Sequence, residues 1–201
     1  MEQAVMLPIP RWVDRLFSIL YAAAQTLLHP FSARGDTGAR AQADLNARAE
    51  RMLAAHGNRM YRLAYSYLHN AEDAEEVVQD TLVQYLTTAP ELTDETHEKA
   101  WCLRVAGNLA KNRIKYNQIR DADELNEELV AEQRDDLSFV WEAVKSLPVK
   151  YREVIHLFYH EGLSTAEIAN VLQRKETTVR SDLSRGREQL RGVLKEAYDF
   201  G

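Results

Sequence analysis

The sequence predicts an all-α fold with two small helical domains, an acidic linker between them and an N-terminal extension that contains an amphipathic helix. Apolar residues recur at helical spacing from about Ala41 almost to the carboxyl end. No segment shows the alternation of apolar and polar residues that is typical of strands. After Gly162, a short helix, a tight turn and a long basic helix follow one another, which predicts a helix-turn-helix.

The composition is that of a globular protein with one or two domains. The 201 residues include 31 acidic and 25 basic side chains, giving a net charge of −6, and 45% of the residues are hydrophobic. The single cysteine, Cys102, excludes an internal disulfide framework and a multi-thiolate zinc site, so a reducing cytosol is the simplest setting. We interpret Cys102 as a small buried hydrophobic residue.

Residues 1–44 are predicted to form the N-terminal extension. Leu16 to Leu28 is a run of thirteen uncharged residues, which is shorter than the roughly 18–20 apolar residues that span a bilayer. Glu2 and Asp14 do not fit the basic leader of a signal peptide. The apolar spacing predicts an amphipathic helix that could dock on the chain itself, on a partner or on a membrane surface, followed by a linker over residues 30–39.

Residues 45–116 are predicted to form the first helical domain. Asn70 is expected to cap a helix that ends before Pro90 and carries two acids in its first turn. The apolar face of this helix is expected to bury Ala74, Val77, Val78, Thr81, Leu82, Tyr85 and Leu86. A third helix is expected from about Glu98 to Tyr116, followed by an acidic linker over residues 117–136 that could be partly helical.

Charge is strongly segregated along the chain. Residues 71–98 contain nine acids and no Lys or Arg, whereas residues 99–120 contain six bases and no acid. Residues 121–136 contain eight acids, and residues 174–195 contain seven bases against three acids. The acidic net charge therefore does not exclude a nucleic-acid partner, because two local basic blocks are present.

Residues 137–201 are predicted to form the second helical domain. The residues expected to face inward in its first helix are Phe139, Val140, Val144 and Leu147. Pro148 is expected at the first position of a second helix that runs to about Glu161 and is followed by Gly162 at the C′ position.

The helix-turn-helix has its own start and stop signals. Ser164 and Glu167 predict a capping box for the short helix, which is expected to bury Ile168, Ala169 and Leu172. The turn is expected over Gln173–Glu176, with Gln173 near the position of the usual glycine. The long helix is expected to start near Thr177 and to bury Val179, Leu183, Gly186, Leu190 and either Val193 or Leu194.

The opposite face of the long helix is suited to DNA. A helix fits the major groove, its N-terminal residues reach base edges, and Arg and Lys pair with phosphates. The residues predicted to contact DNA here are Lys175, Thr177, Thr178, Arg180, Ser181, Ser184, Arg185 and Arg187. Farther along this helix, Arg191 is expected to meet phosphates at most.

Two motifs in the correct order give a resemblance to a known family. LPVKYREVIHLFYHEGLSTAEIANVL and TTVRSDLSRGREQLRGVL resemble the C-terminal domain of bacterial RNA polymerase sigma factors of the extracytoplasmic-function group. MYRLAYSYLHNAEDAEEVVQDTLVQYL resembles the core-binding helices of that group, and KAWCLRVAGNLAKNRIK resembles its segment that melts and reads the minus-ten promoter element. The resemblance covers about residues 45–197 and implies a sigma factor that directs promoter-specific initiation.

The resemblance implies roles for the two domains. The first would bind core polymerase and the minus-ten element, and the second, through its helix-turn-helix, the minus-thirty-five element. The residues implied in core binding are Asp73, Glu75, Glu76, Gln79 and Asp80. Those implied at the melted element are Trp101, Asn108, Lys111, Asn112, Arg113 and Lys115. Trp101 would either stack on an unpaired base or belong to the core.

The chain departs from the family pattern at two places. Family members commonly carry an acidic residue and an arginine after the asparagine, where this chain has Lys111, Asn112 and Arg113. Many also have an aromatic residue near Leu82. These departures bear on which bases of the minus-ten element this chain would recognise, and not on its overall role.

The resemblance implies core RNA polymerase, promoter DNA and an anti-sigma factor as partners, in the cytoplasm or held near the membrane by the anti-sigma factor. No cofactor, metal or small-molecule substrate is expected, and the protein is not expected to be an enzyme. His156 and His160 have the spacing of a metal pair, but the sequence places no third ligand. We interpret them as solvated or core histidines.

Two other functions also fit a basic helix-turn-helix. One is a regulator that binds operators without polymerase, and the other is a helical module that binds acidic partners. The acidic helix from Glu72 to Asp80 favours the polymerase-binding function, because a simple repressor does not need it.

Overall fold

The computed structural model describes residues 36–120 and 138–198, and all the regular structure in these two ranges is helical. In chain order the elements are α1 (Asp36–Leu68), α2 (Ala71–Thr88), α3 (Glu95–Arg120), α4 (Ser138–Lys145), α5 (Val149–Ile155), a π-helical turn (His156–His160), α6 (Thr165–Leu172) and α7 (Glu176–Tyr198). The prediction of an all-α fold is therefore confirmed. The predicted amphipathic helix of the extension and residues 121–136 of the predicted linker lie outside the described residues.

The ends of α1 and α3 differ from the sequence-based prediction. Helix α1 begins at Asp36, inside the predicted linker, because a single glycine such as Gly38 costs a helix only about 1 kcal/mol. Helix α3 continues past Tyr116 to Arg120. There, the side chain of Asn117 donates a hydrogen bond of 2.9 Å to Asp73 Oδ2 on α2 and holds this last part of α3 in place.

Helices α1, α2 and α3 bury a continuous apolar core. The Asn70 side chain accepts a hydrogen bond of 3.1 Å from the Asp73 backbone N–H, which confirms the predicted cap of α2. Of the residues predicted to be buried in α2, only Leu86 is half-buried, because it lies in the last turn before Ala89 ends the helix in a left-handed conformation (φ 41°). Cys102 is buried as predicted, and burial raises the pKa of its thiol to about 12.

The second predicted helix of the C-terminal part is divided. Pro148 is the N-cap of α5 and not its first residue, and α5 ends at Ile155. The π-helical turn then extends to His160, because the Glu161 N–H bonds to the His156 carbonyl oxygen at 3.2 Å, five residues back. Gly162 follows with φ +67°, as expected for a C′ glycine.

The helix-turn-helix is formed by α6 and α7. Val171 is buried with Ile168, whereas Ala169 and Leu172 are only half-buried, which corrects the predicted apolar face. The turn has three residues instead of four, since α7 begins at Glu176. Gln173 has φ 54° and takes the left-handed position that a glycine usually fills.

Gly186 allows α7 to pack closely on α5. A Cβ atom at this position would lie 3.0 Å from Ile155 Cδ1 and 3.2 Å from Tyr151 Cβ. The glycine predicted to lie on the inward face of α7 therefore has a packing function. Val179 and Leu183 are buried on the same face, and Leu190, Val193 and Leu194 are half-buried.

The chain divides into two compact units, Met1–Ala47 and Arg48–Gly201. Within the second unit we call α1 from Arg48, α2 and α3 the N-terminal half, and α4 to α7 the C-terminal half. Helix α3 packs on α6, so the two halves are in contact. Among the described residues, no helix is both long and apolar enough to cross a membrane.

Candidate functional site

Two elements position the predicted upstream-reading surface, the α6–α7 turn and the first turns of α7. Ser164 and Glu167 form the predicted capping box: the Glu167 N–H bonds to Ser164 Oγ at 3.3 Å, and the Ser164 N–H bonds to Glu167 Oε2 at 2.8 Å. This box starts α6 at Thr165, and the left-handed Gln173 turns the chain into α7. Local sequence therefore fixes the geometry of the motif.

The structure brings the upstream-reading residues together on one face. Because Val179 and Leu183 point into the core, the residues between them face outward. All eight predicted residues are exposed, namely Lys175, Thr177, Thr178, Arg180, Ser181, Ser184, Arg185 and Arg187. Arg191 is also exposed, farther along the helix.

Two contacts on this face were not predicted from the sequence. Glu176 Oε1 accepts hydrogen bonds of 2.7 Å from both Arg180 and Thr165, so the first turn of α7 is tied to the first turn of α6. The i,i+4 spacing of Glu176 and Arg180 is the sequence signal for the first contact. Arg187 lies over the Phe158 ring, 5.8 Å from its centroid, which gives this arginine a packing partner as well.

The residues predicted to meet the melted element lie on α3, but they have different surroundings. Asn108, Asn112 and Lys115 are exposed. Trp101 is half-buried and packs edge-to-face on Tyr85, with ring centroids 5.6 Å apart. Of its two predicted roles, this contact favours the core role.

Lys111 and Arg113 are paired with carboxylates of the same chain. Lys111 Nζ lies 2.9 Å from Glu153 Oε2 of α5. Arg113 Nε lies 3.4 Å from Asp73 Oδ1, and its guanidinium also pairs with Glu76. The basic block of α3 is therefore partly neutralised by contacts that local sequence patterns do not reveal.

The predicted polymerase-binding face lies along α2 and off its apolar core. Glu76 and Asp80 are exposed, whereas Asp73, Glu75 and Gln79 are half-buried. Although Asp80 is exposed, desolvation of its carboxyl group by the surrounding protein raises its pKa. The structure thus brings all five residues together on one helix, with Arg113 at one end of the face.

Glu153 is a buried carboxylate that sequence analysis missed. Its side chain is inaccessible to solvent and contacts Lys111, Arg174 and the hydroxyl of Tyr67. Burial, and then the charge and hydrogen bond of Glu153, raise the pKa of Tyr67 well above its usual value. Helix periodicity placed position 153 next to the core residue Val154 but gave no sign that a charge is buried there.

Glu161 is the second buried carboxylate. Arg59 Nη1 lies 3.0 Å from its Oε2 and Arg62 Nη2 lies 3.5 Å from its Oε1. Burial by itself would raise the pKa of Glu161, but the hydrogen bond to His160 and the nearby positive charges lower it to about 2. The carboxylate is therefore ionised throughout the physiological pH range.

His156, His160 and Glu161 form a cluster whose ligand atoms lie within 4.8 Å of one another. The two imidazole rings are stacked, with centroids 4.8 Å apart. Two arginines already compensate the carboxylate, and they would repel a metal cation. We interpret the cluster as a structural ion-pair network.

The buried histidines should make stability depend on pH. Burial and the neighbouring His160 lower the pKa of His156 from 6.5 to about 3, and burial and Arg152 lower that of His69 to about 4. The unfolded chain binds these protons at higher pH, so protonation favours unfolding. The free energy of unfolding should fall as the pH drops from 6.5 towards 4, which denaturant titrations at several pH values would measure.

The variant His156→Gln should remove up to about 1.4 kcal/mol per pH unit from this slope. His97→Gln is the control, because His97 is exposed. Equal slopes for the wild type and His156→Gln would contradict the prediction.

Comparisons with known proteins match both halves. Residues 52–119 match the family Sigma-70 region 2, and residues 140–190 match the family Sigma-70, region 4. The chain is 32% identical over 179 residues to the ECF RNA polymerase sigma factor SigE of Mycolicibacterium smegmatis, an alignment that covers 82% of this chain and 66% of that relative. It is 30% identical over 158 residues to SigL of Mycobacterium tuberculosis, covering 70% of this chain and 85% of that relative.

A solved structure has the same fold. The sigma factor RpoE, in a complex with the anti-sigma factor NepR from Bartonella quintana, is similar with a TM-score of 0.60 and 26% identity, over 73% of this chain and 96% of that one. Together with the two family matches, this similarity confirms the family expected from the motifs. The chain belongs to the extracytoplasmic-function group of the sigma-70 family and directs promoter-specific transcription initiation with core RNA polymerase.

Proposed function

We propose that the exposed face at the start of α7 reads the minus-thirty-five element of the promoter. The observation that carries this proposal is the outward face of α7, on which polar and basic side chains are exposed while Val179 and Leu183 anchor the helix in the core. Arg180 is the residue best suited to a base contact, because its side chain is 67% exposed near the helix N-terminus. Its bond to Glu176 would hold the guanidinium in a defined orientation before DNA arrives.

We further propose that residues 45–116 bind core polymerase and the minus-ten element, that 117–136 act as the linker, and that 137–201 bind the upstream element. The acidic face of α2 would meet a basic surface of the polymerase, which would steer and orient the encounter. On α3, the exposed Asn108, Asn112 and Lys115 support a role at the melted strand. Residues 1–44 would take part in none of these functions.

We also propose an anti-sigma factor as a regulatory partner in the cytoplasm. The similar RpoE was solved in a complex with such an inhibitor. The chain would carry out no chemistry of its own, since the contacts described above serve recognition and packing.

Replacing Arg180 tests the assignment of α7. In holoenzyme reconstituted with core polymerase, Arg180→Ala should relax the base preference at one or two base pairs of the upstream element. A bidentate contact between arginine and guanine is worth roughly 1–3 kcal/mol of discrimination. Initiation from a library of randomised upstream elements would measure the preference.

Arg191→Ala is the matched control. Arg191 is exposed and lies three turns beyond Arg180, so its loss should weaken binding about equally for all sequences. If Arg180→Ala and the wild type select the same sequences, the assigned face of α7 is wrong.

A further inference from the structure

A buried acid lies on α7, beside the face proposed to read DNA. Of the three residues between Val179 and Leu183, Arg180 and Ser181 are exposed, whereas Asp182 is only 9% exposed. Its carboxylate therefore lies at the border between the buried face of α7 and the DNA face. An acid in this place needs a counter-charge, because an uncompensated buried charge is costly and an uncompensated exposed one would repel phosphates.

Arg174 supplies this counter-charge. Its Nη1 lies 3.5 Å from Asp182 Oδ2, and its Nη2 pairs with Glu153 of α5. Because Arg174 belongs to the turn between α6 and α7, one guanidinium connects α5, the turn and α7. The side chains of Arg174 and Asp182 are 28% and 13% exposed, whereas that of Glu153 is inaccessible to solvent. We call Glu153, Arg174 and Asp182 the α7 clamp.

The backbone of the turn holds Arg174 where it reaches both acids. The Arg174 N–H bonds to the Ala169 carbonyl oxygen at 3.0 Å, and the N–H of the left-handed Gln173 bonds to the Asn170 carbonyl oxygen at 3.4 Å. These two bonds form the Schellman motif that commonly ends a helix. In this motif the residue at the position of Arg174 frequently makes an apolar contact with the helix. An arginine that pairs with two carboxylates instead points to a role in charge pairing.

The α7 clamp adds direction to a contact that is otherwise apolar. Val179 and Leu183 anchor α7 by burial, and the hydrophobic effect has no preferred direction. Gly186 allows α7 to approach α5 closely, but a glycine has no side chain with which to fix the rotation of α7 about its axis. A planar guanidinium between two carboxylates allows a narrower range of geometries, because its N–H groups form a rigid fork.

We propose that Arg174 is a positioning residue for promoter recognition. Through Glu153 and Asp182 it fixes the rotation of α7, and so the direction in which Arg180 and its neighbours face the upstream element. Arg174 itself makes no DNA contact, since the two acids already neutralise its charge. This role of Arg174 rests on the proposed function of α7 and adds Arg174 and Asp182 to the residues on which base selection depends.

Hydrogen exchange of the free chain tests the α7 clamp without DNA. Arg174→Met removes the charge and keeps most of the side-chain volume, and Asp182→Ala removes the partner on α7. Both variants should speed amide exchange over residues 174–183 by about threefold or more, because the first turns of α7 open more often. Arg191→Met is the control, since it makes the same chemical change at an exposed position of α7 and should leave exchange in this segment unchanged.

Base selection by the holoenzyme tests the positioning role, with the same library of randomised upstream elements as for Arg180. Selectivity is the ratio of initiation from the preferred base to initiation from the other bases at one position, so it does not depend on the folded fraction. Arg174→Met and Asp182→Ala should each lower it about threefold or more, which is part of the discrimination that one bidentate arginine–guanine contact supplies. Asp182→Asn keeps an acceptor oxygen and should retain most of the selectivity. Arg191→Met should weaken initiation equally for all sequences.

A double variant tests whether Arg174 acts through Asp182. Residues that act as a unit have non-additive effects. Arg174→Met with Asp182→Ala should therefore lower selectivity no further than Arg174→Met alone. Arg191→Met with Asp182→Ala should show the selectivity of Asp182→Ala together with the uniform loss of Arg191→Met. If the losses of selectivity from Arg174→Met and Asp182→Ala multiply, the two residues act independently and the α7 clamp is wrong.

Two further results would overturn parts of the proposal. Wild-type hydrogen exchange in Arg174→Met would overturn the α7 clamp, and faster exchange with wild-type selectivity would overturn the positioning role. If Arg174→Met does not fold, Asp182→Ala is used in both tests with the same criteria, and Asp182→Asn is its control. A failure of the proposed function would appear separately, as wild-type base preferences in Arg180→Ala, and hydrogen exchange would still test the α7 clamp.

Discussion

Reversing the acidic face of α2 should nearly abolish binding to core polymerase. In the variant with Glu75→Lys, Glu76→Lys and Asp80→Lys, three negative charges become positive and would face the basic polymerase surface that the family resemblance implies. Like charges brought together at an interface cost several kcal/mol. We expect the affinity to fall at least about a hundredfold, as measured by titration of labelled chain with core polymerase.

The fold should survive this change. None of the three side chains belongs to the buried core, and the ion pair of Glu76 with Arg113 lies at the surface, where such pairs contribute at most about 1 kcal/mol. The control carries the same charge change at three exposed positions away from this face, Glu91, Glu142 and Glu196. If the folded α2 variant binds polymerase as tightly as this control does, α2 is not the docking face.

Leu183→Ala should be the most damaging single truncation in the helix-turn-helix. Leu183 is 1% exposed and lies one turn after the fully buried Val179 on the face that anchors α7. Removing a buried leucine side chain loses its transfer free energy and leaves a cavity, which costs about 2–5 kcal/mol. Denaturant unfolding should show this loss, and transcription from upstream-dependent promoters should fall with the folded fraction.

Ser184→Ala is the control, because Ser184 is the next residue along the helix but faces outward. Ser184 is exposed on the proposed DNA face, so Ser184→Ala should change the free energy of unfolding by less than about 0.5 kcal/mol. Its effect should appear in DNA recognition, whereas folded Leu183→Ala should keep the base preferences of the wild type. Equal stability of Leu183→Ala and the wild type would contradict the assigned orientation of α7.

Local signals in the sequence predicted most of the fold. The Asn70 cap, the capping box of Ser164 with Glu167 and the C′ position of Gly162 are confirmed because each depends on residues a few positions apart. The predicted linker over residues 30–39 was wrong at its end, since α1 already begins at Asp36, and α3 extends to Arg120, into the segment for which partial helicity was left open. Helix propensity and favourable contacts extend a helix past weak stop signals. The π-helical turn could not be predicted, since periodicity does not distinguish an α-helical from a π-helical last turn.

The candidate site was predicted less completely. The exposed face of α7 follows from the positions of Val179 and Leu183, so spacing along one helix was sufficient to find it. The sequence gives no sign of the carboxylates that pair with Lys111 and Arg113, although both residues are predicted to contact DNA. Arg113 pairs with Asp73 of α2, and Lys111 pairs with Glu153 of α5. Each partner lies on another helix, and Glu153 is 42 positions away from Lys111 in the sequence.

By itself, the sequence determined the all-α class, the helix-turn-helix, the family and the segregation of charge, because these depend on composition, on periodicity and on short motifs. Only the tertiary structure decided that Glu153 and Glu161 are buried and which cations neutralise them. A buried charge is stable only when distant parts of the chain supply counter-charges and hydrogen bonds in the right geometry. That geometry exists only after the helices have packed, so no local pattern in the sequence encodes it.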